Sequence, residues 1–222
     1  VWACNSVSTN LHHWHIIKEA QKKGAKVVVI DSYASRTAKE ADWHVCPKPG
    51  TDGALAMAMM NVIIEENLVD QDYVDNYTVG FKELAEKAKE RTPEWAEGIT
   101  GIFAEDIRQL AREYATTQPS AIRIGVALEK SWGGSQAIRA VTALPALTGA
   151  WRHVGGGILQ FPVWEHPYKF DVICRPDLIP KGTQVVNNLQ LGRVLTGEQK
   201  LNVPIKSMTV SYTHLRAHET SQ

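Results

Sequence analysis

The sequence predicts an α/β fold, a parallel sheet with helices on both faces. Three observations carry this. A continuous β-branched run, Lys26-Val-Val-Val-Ile30, has the composition of a strand buried on both sides. Strand and helix signals alternate on either side of it, the order that gives a parallel sheet. Glycines stand just past the helical stretches, at Gly24 and Gly149, where helices stop.

Taken in order, Val1 to Ala3 reads as the end of a strand already in progress, so the N-terminus is expected to be internal to a longer protein. Asn5 to Asn10 reads as a polar loop. His15 to Lys23 reads as an amphipathic helix with Ile16, Ile17 and Ala20 on its apolar side. Ala41 to Cys46 is a weaker strand, and the turn cluster Pro47-Lys-Pro-Gly-Thr-Asp52 follows it. Gly53 to Asn67, rich in Ala, Met and Ile, predicts a buried helix with Asp52 as its N-cap. Helices are expected over 70–76, 81–91 and 104–115, the last with Ile107, Leu110, Ala111 and Tyr114 on one face. A break at 116–120 precedes a strand, Ala121 to Gly125, and a helix over 135–148. Beyond Gly155-Gly-Gly157, prolines at 162, 167, 176 and 180 predict long loops and short pieces.

Bulk composition narrows the function classes. The 222 residues carry 24 Lys plus Arg against 24 Asp plus Glu, so charge gives no reason to expect nucleic acid or an anionic membrane as partner. No apolar run approaches the roughly 20 residues of a spanning helix, and no membrane insertion is expected. The three cysteines, Cys4, Cys46 and Cys174, lack the spacing of a zinc or iron–sulfur site, and their odd number argues against a disulfide framework. From about residue 210 the letters match one reading frame of a common transposase-based sequencing adapter. Residues 210–222, with His214 and His218, are therefore set aside as a fusion scar would be.

In parallel sheets, ligands collect beyond the carboxyl ends of the strands. The residues to weigh therefore follow Ala3, Ile30, Cys46 and Gly125. Asn5-Ser6-Val-Ser-Thr9 offers amides and small hydroxyls, which suit either an anion cradle or a helix N-cap. The glycine fingerprint of nicotinamide enzymes is absent. Asp31 ends its strand at about the distance where a dinucleotide fold places its ribose-binding acid; it equally suits a turn. Arg36 and Thr37 follow in the same loop, within reach of a sugar or phosphate. In Pro49-Gly50-Thr-Asp52 the carboxylate matches the two adjacent N–H donors of guanine, or else caps the following helix. The run His12-His13-Trp14-His15 reads as polar helix residues rather than a metal site. Trp151-Arg-His153 suits a pterin contact or a surface loop, and Glu83, Glu86 and Glu90 suit a solvated helix face.

These residues, taken in series, resemble the molybdopterin oxidoreductase family, the group around dimethyl sulfoxide reductase, formate dehydrogenase and thiosulfate reductase. The resemblance runs through Ala3-Cys-Asn5, Thr9, Gly24-Ala-Lys26, Ile30-Asp31, Thr37-Ala38, Ala41-Asp42 and Pro49-Gly-Thr-Asp52-Gly-Ala-Leu55. It continues through Ile99-Thr-Gly101, Ile107, Leu110-Ala111, Leu147-Thr-Gly149 and Gly155-Gly-Gly157. It implies a Rossmann-like lobe over 1–117, and part of a second related lobe with long loops over 118–209. It also implies a pair of molybdopterin guanine dinucleotides holding molybdenum or tungsten. The cofactor-binding residues carried over are Asn5, Ser6, Thr9, Asp31, Ser32, Thr37, Pro49, Gly50, Asp52, Gly125 and Lys130. Neither a catalytic residue nor a metal ligand falls in this chain. The 4Fe-4S cluster of the parent enzyme is expected N-terminal to it, and the implied partners are a small-molecule substrate and an iron–sulfur electron-transfer subunit. Ala3 replaces the family's Gly, Ser32 its Pro, and Ala127 and Ser131 stand where Gly and His are frequent. Two other readings stay open: a catalytically silent subunit of a respiratory complex that keeps this fold, and a nicotinamide-dependent dehydrogenase.

Overall fold

The computed structural model describes residues 1–160 and 168–208. The chain falls into two compact units, Val1–Pro162 and Val163–Gln222. The first opens with Trp2 and a one-turn helix α1 (Ser6–Thr9), then α2 (Leu11–Lys22), β1 (Val28–Ile30), α3 (Arg36–Lys39) and β2 (Trp43–Val45). Helices α4 (Asp52–Glu65), α5 (Gln71–Tyr77), α6 (Phe81–Lys89), α7 (Pro93–Thr100) and α8 (Ala104–Thr116) follow. After β3 (Ala121–Arg123) come a 3-10 turn (Leu128–Lys130), α9 (Gly134–Leu147) and β4 (Gly157–Leu159). The architecture is thus mixed helix and sheet with parallel strand pairs, as the alternation of signals predicts.

The strand pairs share one centre. β1 pairs in parallel with β2, Val28 opposite Trp43 and Ile30 opposite Val45. β3 pairs in parallel with β4, Ala121 opposite Gly157. Trp2 bridges both pairs, in parallel with Ile30 on one side and with Ile124 on the other. The spatial order is therefore β2, β1, Trp2, β3, β4. A border at residue 117 falls inside this unit, because β3 hydrogen-bonds to the segment at Trp2 and α9 packs into the main core.

Period-two alternation in the β1 run separates the faces. Val27 and Val29 pack with Ala38 and Ile17 in a small cluster. Val28 and Ile30 join the main core, built around α4, α8 and α9. Helix α4 is apolar nearly all round, with Leu55, Ala56, Ala58, Met59, Met60, Val62 and Ile63 buried, as befits a helix packed on several sides. Its buried Asn61 donates to the Ala88 carbonyl at 3.0 Å, closing the end of α6.

Several sequence expectations are corrected. The loop before α2 contains the α1 turn, and α2 begins at Leu11 because the Asn10 side chain accepts from His13 N at 3.4 Å. In α2 the buried residue is Trp14, while Ile16 is exposed. Helix α7 was not foreseen, although Thr92 caps it, Pro93 opens it and Gly101, in the left-handed region, ends it. Asp52 is the first residue inside α4 rather than its cap; Thr51 holds the cap position and makes no side-chain bond there.

In the second unit, α10 (Phe170–Cys174) and α11 (Leu191–Leu195) sit among 3-10 turns, and none of its described residues is buried. Long loops and short pieces are what its prolines predict. The tail from residue 210 lies outside the described residues. Among those described, no helix is long and apolar enough to cross a membrane.

Candidate functional site: a cleft at the carboxyl edge of the sheet

The segments leaving the parallel strands converge on one cavity of about 180 Å³. Ala3 follows Trp2, Asp31 and Ser32 follow β1, and Pro47, Pro49 and Gly50 follow β2. Asp52 opens α4, and Ala127, Leu128, Lys130 and Ser131 lie after β3. The cavity straddles the point where the neighbours of Trp2 diverge to opposite sides, the position that favours ligand binding in open parallel sheets.

Two carboxylates and one ammonium line it. Asp52 accepts a hydrogen bond on Oδ1 from the Trp2 indole Nε1 at 2.7 Å. Burial pushes the Asp31 carboxyl above its ordinary value; the backbone N–H groups of Tyr33 and Ser32 and the nearby His44 pull it back, and the charge of Asp52 adds to the rise. The Asp31 main chain is fixed by its N–H to Val45 O at 3.1 Å and by its carbonyl, 2.9 Å from His44 Nε2. Gly50, with φ +77°, makes the turn that brings Pro49 and Asp52 onto one wall.

Of the residues expected at the site, six line the cavity: Asp31, Ser32, Pro49, Gly50, Asp52 and Lys130. Gly125 serves the sheet join. Its N–H donates to Trp2 O at 2.9 Å, and a Cβ there would lie 2.0 Å from Ala3 O. Asn5, Ser6, Thr9 and Thr37 belong to hydrogen-bond networks around α1. Thr37, fully buried, donates to Asn5 Oδ1 at 2.8 Å and accepts from Val7 N at 3.0 Å. Thr9 donates to Asn5 O at 2.9 Å, and Asn5 Nδ2 donates to the Tyr33 hydroxyl at 3.2 Å. Ser6, also buried, lies 3.3 Å from His13 Nδ1 and 3.6 Å from Cys4 Sγ. Burial, and then the charge of Arg123, hold the His13 imidazole below its usual value. Among the described residues, no group of three or more His, Cys, Asp or Glu could hold a metal ion.

Sequence reasoning missed Trp2. The signal was available, since a buried indole needs an acceptor for its N–H, and Trp2 is 2% exposed. It also missed the cavity walls at Pro47 and Leu128, which carry no polar signature.

The chemistry follows from this inventory. Ionised carboxylates only accept hydrogen bonds and ammonium groups only donate. The cleft therefore suits a flat polar group that has adjacent N–H donors on one edge and an acceptor or negative charge elsewhere.

Comparison with known proteins places the chain in a family. The family model described as molybdopterin oxidoreductase matches residues 6–216. "Probable oxidoreductase YoaE" of Bacillus subtilis (strain 168) is 42% identical over 214 residues, covering 96% of this chain and 31% of that protein. "Formate dehydrogenase H" of Escherichia coli (strain K12) is 42% identical over 135 residues, 61% of this chain and 19% of that one. The solved structure of acetylene hydratase from Pelobacter acetylenicus aligns with a TM-score of 0.60 at 37% identity, covering 62% of this chain and 19% of that chain. The chain spans less than a third of the length of these relatives. With the family model matched over nearly its whole length and a carboxylate-lined cleft at the carboxyl edge of its sheet, this chain belongs to the molybdopterin oxidoreductase family.

Proposed function

We propose that this chain is the segment of a molybdenum or tungsten oxidoreductase that grips the nucleotide end of a molybdopterin guanine dinucleotide, through a Rossmann-like lobe. The observation that carries the reading is Asp52. It stands on the wall of the carboxyl-edge cavity beside Asp31, with one oxygen held by Trp2. Its carboxylate accepts the ring N–H and exocyclic amine of guanine, Asp31 accepts ribose hydroxyls, and Lys130 meets an anionic or acceptor group of the same cofactor. The donor set fits this group: the carboxylates answer guanine donors, and the cavity has base-sized room. Asn5, held in place by Thr37, and Thr9, bonded to the Asn5 carbonyl, face the pyrophosphate. When bound, the pterin-held metal supplies the redox chemistry; the residues of this chain bind and orient the nucleotide.

The parent enzyme would move electrons between a small substrate and iron–sulfur centres, including a 4Fe-4S cluster outside this chain, with an iron–sulfur subunit as partner. Similarity to the Escherichia coli (strain K12) proteins named "Probable dimethyl sulfoxide reductase chain YnfF" and "Formate dehydrogenase H" supports that class.

The test is Asp52→Asn in the full-length enzyme. A carboxamide offers only one accepting atom, so one guanine donor is left unpaired at a cost of about 1–3 kcal/mol. Roughly five- to 150-fold weaker nucleotide binding follows. Pterin-dinucleotide content per folded protein should fall, while the melting temperature of the cofactor-free form holds, since Asn can still accept from Trp2. Unchanged cofactor content would sink the guanine assignment.

A further inference from the structure

Trp2 sits at the centre of the sheet with both its backbone and its side chain committed. Its N–H donates to Arg123 O at 2.8 Å, and its carbonyl accepts from Gly125 N at 2.9 Å. On the other side, Ala3 N donates to Ile30 O at 2.8 Å. The indole is 2% exposed, and its one polar atom reaches Asp52 Oδ1 at 2.7 Å, across fifty positions of sequence. An aspartate in the first turn of a helix would ordinarily be free to swing towards the unpaired N–H groups of that turn or out to solvent. Here the indole N–H holds one lone pair of Oδ1, leaving Oδ2 and the second lone pair of Oδ1 for a ligand.

We infer that Trp2 is the positioning residue for base recognition in this cleft: its indole N–H fixes the Asp52 carboxylate so that both oxygens meet a base with two adjacent N–H donors. The inference rests on the guanine reading above. The indole is buried and its backbone is bonded to strands on both sides, so the carboxylate is ordered before the ligand arrives and little rotamer entropy is lost on binding.

The test uses the cofactor-free full-length protein and two probes, GMP and IMP, titrated by calorimetry. IMP lacks the exocyclic amine, so the ratio of the two affinities reports the two-donor contact itself. The wild-type protein should favour GMP. Trp2→Phe keeps an aromatic ring in the core and removes the donor; it should cut the GMP-over-IMP ratio about three- to tenfold. Asp52→Asn should remove most of the preference, and adding Trp2→Phe to it should change the ratio no further, as two residues acting through one contact require. Should Trp2→Phe fail to fold, benzothienylalanine at position 2, which exchanges N–H for sulfur in the same bicyclic frame, is read instead. A wild-type ratio in the Trp2 variant, with both nucleotides weakened alike, overturns the inference and leaves Trp2 a packing residue. No GMP preference in the wild type overturns the guanine reading, and the inference with it.

Discussion

Asp31 shows how a carboxylate on a cavity wall can be held at the expense of the fold. Its carboxyl is partly buried on the cavity wall and sits above its ordinary value, with burial the leading cause. The unfolded chain ionises this group at its ordinary value, while the folded chain ionises it only at higher pH. Stability is therefore lost as pH rises through the ordinary carboxylate value, and the loss is complete above the raised one. Asp31→Asn should melt higher than wild type at pH 7 in the cofactor-free form, with the difference vanishing towards pH 3. It should also hold less cofactor. Thermal melts across that range, beside pterin content, check both. A variant that melts lower at pH 7 would show that the backbone bonds to Asp31 outweigh its burial. Asp31 and Asp52 were legible as candidate ligands from their places after strand and turn. The partner of Asp52 was not, because no local pattern pairs positions fifty apart.

At the scale of elements, α1 and α3 behave as one piece. The Thr37 hydroxyl donates to Asn5 and accepts from the Val7 N–H, so a buried side chain of α3 completes the backbone of α1. The sequence put Thr37 within reach of a sugar or phosphate; the structure shows its hydroxyl bonded inside the protein, and sequence spacing does not tell a buried hydroxyl from an exposed one. Thr37→Val has nearly the same shape but leaves the Val7 N–H unpaired. The expected loss is about 1–3 kcal/mol in urea unfolding. A loss under about 0.3 kcal/mol would mean that water replaces the hydroxyl. The long helices α4, α8 and α9 were legible because their apolar positions fix type and extent together. Helix α7 carried its cap, Pro and Gly, and those end signals alone mark it. Lys130 entered through family resemblance alone: nothing in its neighbours announces that a turn after β3 will face the loops after β1 and β2.

At the scale of the whole first unit, its sheet is continuous through a join one residue wide. Among the described residues, the backbones of strand pairs β1–β2 and β3–β4 are bridged by the segment at Trp2, and Gly125 makes the close approach possible. Gly125→Ala would push a methyl group into the Ala3 carbonyl, where backbone on both sides cannot yield. Its cost should reach or pass the ~1–3 kcal/mol usual for overpacking, read as a lower urea midpoint. An unchanged midpoint would show that the join is slack. The parallel sheet itself was legible from the β-branched run. Its continuity was not, since single bridging residues have no period. There is also a consequence in time. The walls of the cleft come from residues 3, 31–52 and 127–131, and the loop that joins the β2 and β3 edges must close before they face one another. Such long-range parallel pairing is slow to form. The cleft is therefore among the last features to exist as the chain folds, and a growing chain that ends before β3 has no complete pocket to offer a cofactor.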